Sequence, residues 1–459
     1  MAERTVNIEN TLAVLFDGKK YSVLREVLST MNPADIAAVF RNIESEKLPV
    51  LFRLLPKELA AEAFVEMDVD DQEMLIKGFS DKELKDVLDE LYIDDTVDLI
   101  EEMPANVVSR ILKSTDSSTR KMINEILKYP EDSAGSIMTI EYVRLRQEMT
   151  VGEALDVIRK TGIDKETIYT CYVVNKSRTL IGLVSAKTLL LSDTDCLIGD
   201  IMETNIIHVH TMEDKELVAN NFKKYNFLAM PVVDDEQRLV GIVTVDDAID
   251  VLAEEATEDI EKMAAITPSE RPYLQTGVFT TWKSRVVWLL VLMISSTFTG
   301  MILAYFESAL VAHATLTAFI PMLMGTAGNS GSQAAVTVTR SLSLGEVSFC
   351  DTVRVLWKEL RVSVMCGITL AIANFIKIYL VDYSLLGTMA VFDLPTVLVI
   401  CITLALTVVV AKIVGCTLPI LADRVGFDPA VMASPFITTI VDALCLLVYF
   451  QAASVLLGF

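Results

Sequence analysis

Apolar residues return every twelve positions between Asn32 and Leu112. One position of the unit reads Ile43, Leu55, Met67, Phe79, Leu91 and Met103. Three residues earlier it reads Phe40, Phe52, Phe64, Ile76, Leu88, Ile100 and Leu112, and the position before that is Val39, Leu51, Ala63, Leu75, Val87, Leu99 and Ile111. Spacings of one and three mark one face of a short helix, and turn-forming residues close each unit. Pro33, Pro56 and Pro104 fall at unit starts, where a helix tolerates the missing N–H. A unit this short cannot bury its own apolar face. The pattern therefore predicts a stacked all-α helical solenoid over residues 1–130.

From 131 to 262 the period changes to alternating strand and helix. Tyr169–Val174, Leu180–Ser185, Ala229–Val233 and Leu239–Thr244 read as strands, with helical patterns near Val151–Lys160, Glu213–Lys224 and Ala248–Glu255. The unit occurs twice: CYVVNKSRTLIGLVSAKTLL parallels MPVVDDEQRLVGIVTVDDAI about 60 residues on. This resembles a tandem pair of CBS domains, a small α/β module that often binds adenine nucleotides. In such modules a Ser or Thr followed three residues later by Asp commonly holds the ribose. The second copy has Thr244 and Asp247, which makes ATP a candidate ligand; the first has Ser185 but Thr188 where the acid would stand.

Thr267-Pro-Ser-Glu-Arg-Pro272 then breaks the chain, and an amphipathic stretch, Tyr273 to Trp282, leads to Lys283 and Arg285. The reading here is a connecting helix over 263–284 and a polytopic membrane domain over 285–459. Five apolar segments follow, near 286–305, 313–340, 361–381, 395–421 and 432–457, each long enough to cross a bilayer core. Bases gather before the first segment, between the second and third (Arg340, Arg354, Lys358, Arg361) and at Arg424 between the last two. The loops near 306–312 and 382–393 carry none. By the positive-inside rule the N-terminus lies in the cytoplasm and the C-terminus outside, in a multi-pass cell-membrane protein.

Charge sharpens this division. The chain carries a formal net charge of −23, yet from Lys283 onward nine acids balance nine bases. All the excess therefore belongs to the first 282 residues, so an acidic soluble half is joined to a neutral membrane half. Such acidity argues against nucleic acid and favours cationic partners. The seven cysteines form no CxxC pair, and five lie in or beside apolar segments, where a thiol packs as a small hydrophobe. The polar, acidic start shows no cleaved signal peptide.

The second apolar segment is unusual in content. Pro321-Met-Leu-Met-Gly325-Thr-Ala-Gly328-Asn329-Ser-Gly331-Ser-Gln333 carries glycines and amides where a plain span carries Leu and Val. In hydrocarbon every backbone polar group needs a partner, so such a segment faces other helices or a wet cavity. The last segment carries one acid, Asp442, near its middle, with Thr438 one turn earlier on the same face. An ionisable group at that depth marks a function. Lys412 in the fourth segment either pairs with Asp442 or snorkels to the interface, the easier course for a lysine there. Mg2+ sheds its water reluctantly, so a wide, partly hydrated site around Asp442, Thr438 and the glycine-rich segment suits it better than a tight cage. One acid per chain makes a weak divalent site, and a symmetric dimer would bring two together. His208, His210 and His313 are too scattered for a transition-metal site.

Two soluble stretches add carboxylates. Asp94 and Asp98 lie four apart and share a helix face, either as favourable acids at a helix N-terminus or as half of a divalent-cation site. Asp246, Asp247, Asp250, Glu254, Glu255, Glu258, Asp259 and Glu261 crowd one predicted helix; like charges at that spacing repel and call for solvent or a counter-ion. Hard divalent cations suit such oxygens.

Taken together, the arrangement resembles the MgtE family of magnesium transporters and channels over nearly the whole chain. The resemblance is carried by the acidic helical domain, SAGSIM (Ser133–Met138), the paired CBS domains, EEATEDI (Glu254–Ile260), the Pro321–Gln333 motif and Asp428-Pro-Ala with Asp442. It implies a homodimer with a central pore lined at Gly325, Gly328, Asn329 and Thr438, and a permeating ion at Asp442. It also implies cytosolic Mg2+ that bridges the acidic N and CBS domains and shuts the pore. By position the metal residues are Asp94, Asp98, Glu216, Asp247, Asp250, Glu255, Glu258, Asp259, Asp428 and Asp442. The match departs at Asn226, where relatives commonly carry Asp, so one intracellular site is weaker or absent. The expected function is Mg2+ import down its electrochemical gradient. The alternatives are an ion-coupled divalent-cation carrier, for which a second intramembrane carboxylate is expected, and a membrane-anchored nucleotide sensor without transport. An enzyme fits least: Gly328-Asn-Ser330-Gly331 looks like a nucleophile turn, but no His or acid is placed to activate Ser330.

Overall fold

The computed structural model describes residues 11–269, 273–307, 314–385, 394–432 and 434–457. It divides into two compact units, residues 1–252 and 253–459. His313 and most of the loops at 306–312 and 382–393 lie outside the described residues.

The first unit opens with the repeat. Helices start at Tyr21, Pro33, Lys57, Val69, Asp81, Ile93, Ala105 and Ser117, all in one twelve-residue phase. The phase runs one unit further at each end than the apolar pattern marks. The unit between Phe40 and Lys57 is carried by the short Leu48–Phe52 helix. The paired apolar positions Val39–Phe40, Leu51–Phe52, Ala63–Phe64, Leu75–Ile76, Val87–Leu88 and Leu99–Ile100 join one core. Next-but-one helices pack together: Pro33–Phe40 on Lys57–Val65, that helix on Asp81–Leu88, and that one on Ala105–Ser114. Polar residues fix the ends. Ser80 and Glu83 form a capping box. Arg53 Nε donates to Glu83 Oε1 at 2.7 Å, and together with the cap it holds that carboxyl down at about 2.

The α/β part is two three-stranded sheets of the same order. β1 (Tyr142–Leu145), β2 (Thr167–Val174) and β3 (Leu180–Ser185) form one; β4 (Val209–His210), β5 (Ala229–Val233) and β6 (Leu239–Thr244) form the other. In each, the first pair is parallel and the second antiparallel. β1 and β4 are too short to announce themselves by alternation. The duplication extends to detail. Gly182 and Gly241 stand opposite Val173 and Val232, and a Cβ on either glycine would meet a methionine sulfur, that of Met202 or Met138, at 2.5 Å. Both methionines close a G-x-I-M run, Gly135–Met138 and Gly199–Met202.

The second unit is helical. Val278–Tyr305, Ile320–Ser343, Thr352–Lys377, Leu394–Val425 and Ser434–Leu457 are its long helices. Four helical stretches are long and apolar enough to cross a membrane: Val278–Tyr305, Phe349–Val381, Leu394–Val425 and Pro435–Leu456. The glycine-rich helix has the length, about 36 Å at 1.5 Å per residue, but not the apolar composition. Leu394–Val425 is central and packs on Ile320–Ser343, Thr352–Lys377 and the last helix.

One expectation is corrected. No single helix spans 263–284. The Val245–Met263 helix stops there, Ala265 takes a left-handed φ of 54°, Pro268 follows, and among the described residues helix resumes at Val278, continuous with the first apolar stretch. A proline shortly after a left-handed residue is an ordinary helix stop. Thr267 N–H donates to the Ser284 carbonyl at 3.0 Å, which folds this link back on the next helix.

Candidate metal centre and ion path

In the first unit six carboxylates gather around the start of two helices. Asp94, Asp95 and Asp98 stand on Ile93–Glu102, Asp246 and Asp247 on Val245–Met263, and Glu166 just before β2. Asp94 is only 7% exposed. Burial, then the Asp247 charge, pushes its carboxyl well up. The same two causes lift Asp95 to about 7 and Asp98 to about 8. Burial lifts Asp247 to about 6; burial and the Asp95, Asp246 and Asp247 charges lift Glu166 to about 8. Asp250 is raised by burial and Asp246. Glu166 and Asp95 were not anticipated: Asp95 is outside the four-residue pair formed by Asp94 and Asp98, and Glu166 is distant along the chain from the other five. Among the described residues none of the six forms an ion pair with Lys or Arg.

This donor set fits a hard divalent cation in chemistry, although among the described residues no three His, Cys, Asp or Glu side chains are drawn together tightly enough to hold one ion. Mg2+ held through its waters needs no such closed cage. A consequence follows for stability. Carboxyls whose folded pKa is raised favour the fold below their unfolded value near 4 and oppose it as pH climbs through 8. In chelator, the melting temperature of the full chain should therefore fall between about pH 4 and pH 8, and millimolar Mg2+ should flatten the fall. Calorimetry at stepped pH checks this.

Other expected residues are placed as follows. Thr244 Oγ1 donates to Asp247 Oδ2, whereas in the first copy Ser185 and Thr188 hydroxyls pair at 2.9 Å. Glu216 lies in the first turn of Lys215–Tyr225, where its N–H is capped by Asp214 at 2.8 Å. Asn226 ends that helix at φ 54°, ψ 44°, donating to the Phe222 carbonyl at 2.8 Å. Asn tolerates the left-handed region well, which gives Asn226 a structural role as the cap of this helix.

In the second unit Glu255, Glu258 and Asp259 continue the Val245–Met263 helix. Glu258 and Asp428 share Lys262, at 2.6 and 2.8 Å. Asp259 accepts from Ser343 Oγ at 3.3 Å.

Within the helical bundle Asp442 faces the glycine-rich helix. A Cβ on Gly328 would lie 3.3 Å from Thr438 Cγ2 and 3.7 Å from Asp442 Oδ1, so Gly328 is the position that lets this carboxylate approach. Lys412 does not pair with Asp442 and does not snorkel. It is 6% exposed, with Nζ 3.8 Å from Glu359 Oε2 on Thr352–Lys377. Glu359 is the second carboxylate that the apolar pattern hid, among the bases that precede the third segment. Gly325 and Asn329 lie on an exposed line of the helix with Gln333 and Thr337.

Residues 320–452 match MgtE, described as a divalent cation transporter, 31–132 match the MgtE intracellular N domain, and 134–193 and 198–254 each match a CBS domain. The chain is 38% identical over 438 residues to the magnesium transporter MgtE of Thermus thermophilus, covering 95% of each chain. It is 32% identical to that of Bacillus subtilis, covering 96% of each. It belongs to the MgtE family. Solved structures agree: the cytosolic domain of the Mg2+ channel MgtE in complex with ATP aligns with a TM-score of 0.51 at 36% identity, over 53% of this chain and 99% of that one. The soluble part of a magnesium transporter aligns with a TM-score of 0.51 at 30% identity, over 55% and 99%. This MgtE chain is thus a multi-pass membrane protein with an N-terminal helical domain, a CBS pair and a helical membrane region.

Proposed function

We propose that this chain is a homodimeric Mg2+ channel that admits the ion down its electrochemical gradient and is closed by cytosolic Mg2+. The carrying observation is the Asp442 carboxylate set against Gly328, with Thr438 one turn below. A lone carboxylate beside a helix without bulk can hold a hydrated cation through its waters. The exposed line of Gly325, Asn329, Gln333 and Thr337 supports a second copy across a wet path, since polar groups at membrane depth need partners. With the glycine-rich helix counted, the bundle has five spans, N-terminus inside and C-terminus outside, in the cell membrane. Boundaries near 130, 262 and 284 separate the helical, CBS, connecting and membrane parts.

The gate would be electrostatic. Asp94, Asp98, Asp247 and Asp250, with Glu216, Glu255, Glu258, Asp259 and Asp428, repel when ionised; Mg2+ neutralises them and favours the closed form by its differential affinity. The half-buried Glu359 has the buried Lys412 ammonium as a counter-charge, which favours a channel over a coupled carrier. ATP at Thr244 and Asp247 is a secondary reading, supported by the hydroxyl–carboxylate pair that only the second copy retains. Mg2+ flux through purified protein in vesicles, measured against internal Mg2+, tests the whole: uptake should fall as internal Mg2+ rises, and uptake no faster than in protein-free vesicles would sink it.

A further inference from the structure

Where the proposed Mg2+ gate needs a metal between Glu258 and Asp428, the protein already supplies a cation. Lys262 lies one turn beyond Glu258, and its Nζ stands 2.6 Å from Glu258 Oε1 and 2.8 Å from Asp428 Oδ2. The other Asp428 oxygen is also engaged, accepting the Ala430 N–H at 2.8 Å. On the next residue of the helix, Asp259 takes Ser343 Oγ at 3.3 Å, with Arg340 Nη1 at 3.9 Å. Protein cations thus join this helix to the ends of the membrane helices at both points.

We propose that the Lys262 ammonium is a resident counter-ion that competes with Mg2+ for Glu258 and Asp428, and so sets the Mg2+ concentration at which metal takes over the contact. This rests on the gating reading above. Mg2+ binds carboxylate oxygen at about 2.0–2.1 Å. An ammonium within hydrogen-bond distance of the same oxygens would crowd it with like charge, so the two occupy the site by turns. The lysine holds the contact when Mg2+ is scarce and swings out to solvent when Mg2+ enters. Its side chain is 26% exposed, which leaves that path open.

Calorimetric Mg2+ titration of the full-length protein tests this, with Asp428→Asn identifying the binding component that needs this carboxylate. That component should tighten roughly two- to fivefold in Lys262→Gln, the scale of a partly exposed ion pair, and stay unchanged in Lys262→Arg. Equal or weaker affinity in Lys262→Gln, or no component lost in Asp428→Asn, overturns the proposal. A second readout uses the unaltered chain: an amine-reactive label, mapped by mass spectrometry, should modify Lys262 faster as Mg2+ is raised. A flat or falling rate also overturns it. Flux that ignores internal Mg2+ would strike the gating reading alone, since both binding measurements still decide the lysine.

Discussion

Vesicles carrying Asp442→Ala should take up Mg2+ no faster than protein-free vesicles, while the purified variant melts where the parent does. The carboxylate faces Gly328, so the substitution removes charge without disturbing a packed side chain. A charged contact contributes about 1.5–3 kcal/mol. Its loss lowers ion occupancy roughly 10- to 100-fold at one such contact, and a dimer would lose two. Uptake at the parental rate would remove Asp442 from the ion path.

The second large effect is opposite in sign. Replacing Asp247 and Asp250 by Asn and Glu255 by Gln should leave flux high at internal Mg2+ that silences the parent. Asp247 stands beside Asp94, Asp95 and Asp98, and with Asp250 and Glu255 it supplies oxygens through which Mg2+ would bind and favour the closed form, so removing them takes away the ion's hold on the gate. The variant should also lose part of the pH dependence of its melting temperature in chelator, the burial of Asp94, Asp95, Asp98 and Glu166 keeping the rest. Inhibition by Mg2+ at the parental concentration would dismiss the sensor.

The helical repeat was legible because each twelve-residue unit repeats an adjacent apolar pair, and those pairs are buried. The strands β2, β3, β5 and β6 were legible by alternation. β1 and β4, of four and two residues, were not. The start of the first membrane helix was hidden by Thr280-Thr-Trp-Lys283, polar and amphipathic residues that a helix end at an interface accepts. Asp442 stood out because nothing ionic surrounds it in sequence. Glu359 did not: flanked by Lys358 and Arg361 it reads as part of a charged loop, and only the three-dimensional approach of Lys412 shows its partner. Partnership across helices leaves no local trace. The same holds for Glu166, whose neighbours Asp95, Asp246 and Asp247 are distant along the chain.

The contact between Gly331 and Gly415 has mechanical weight. The Gly331 carbonyl occupies the place where a Cβ on Gly415 would stand, and a Cβ on Gly331 would lie 3.0 and 3.2 Å from Ile437 Cγ2 and Val441 Cγ2 of the last helix. At Gly415 backbone is thus meshed with backbone, as small residues allow in membrane helices. Helices seated this way cannot glide lengthwise without grinding carbonyl against Cα. Ile320–Ser343 and Leu394–Val425 would tilt as one stiff lever, and any dilation of a passage beside Asn329 would come from two such levers parting.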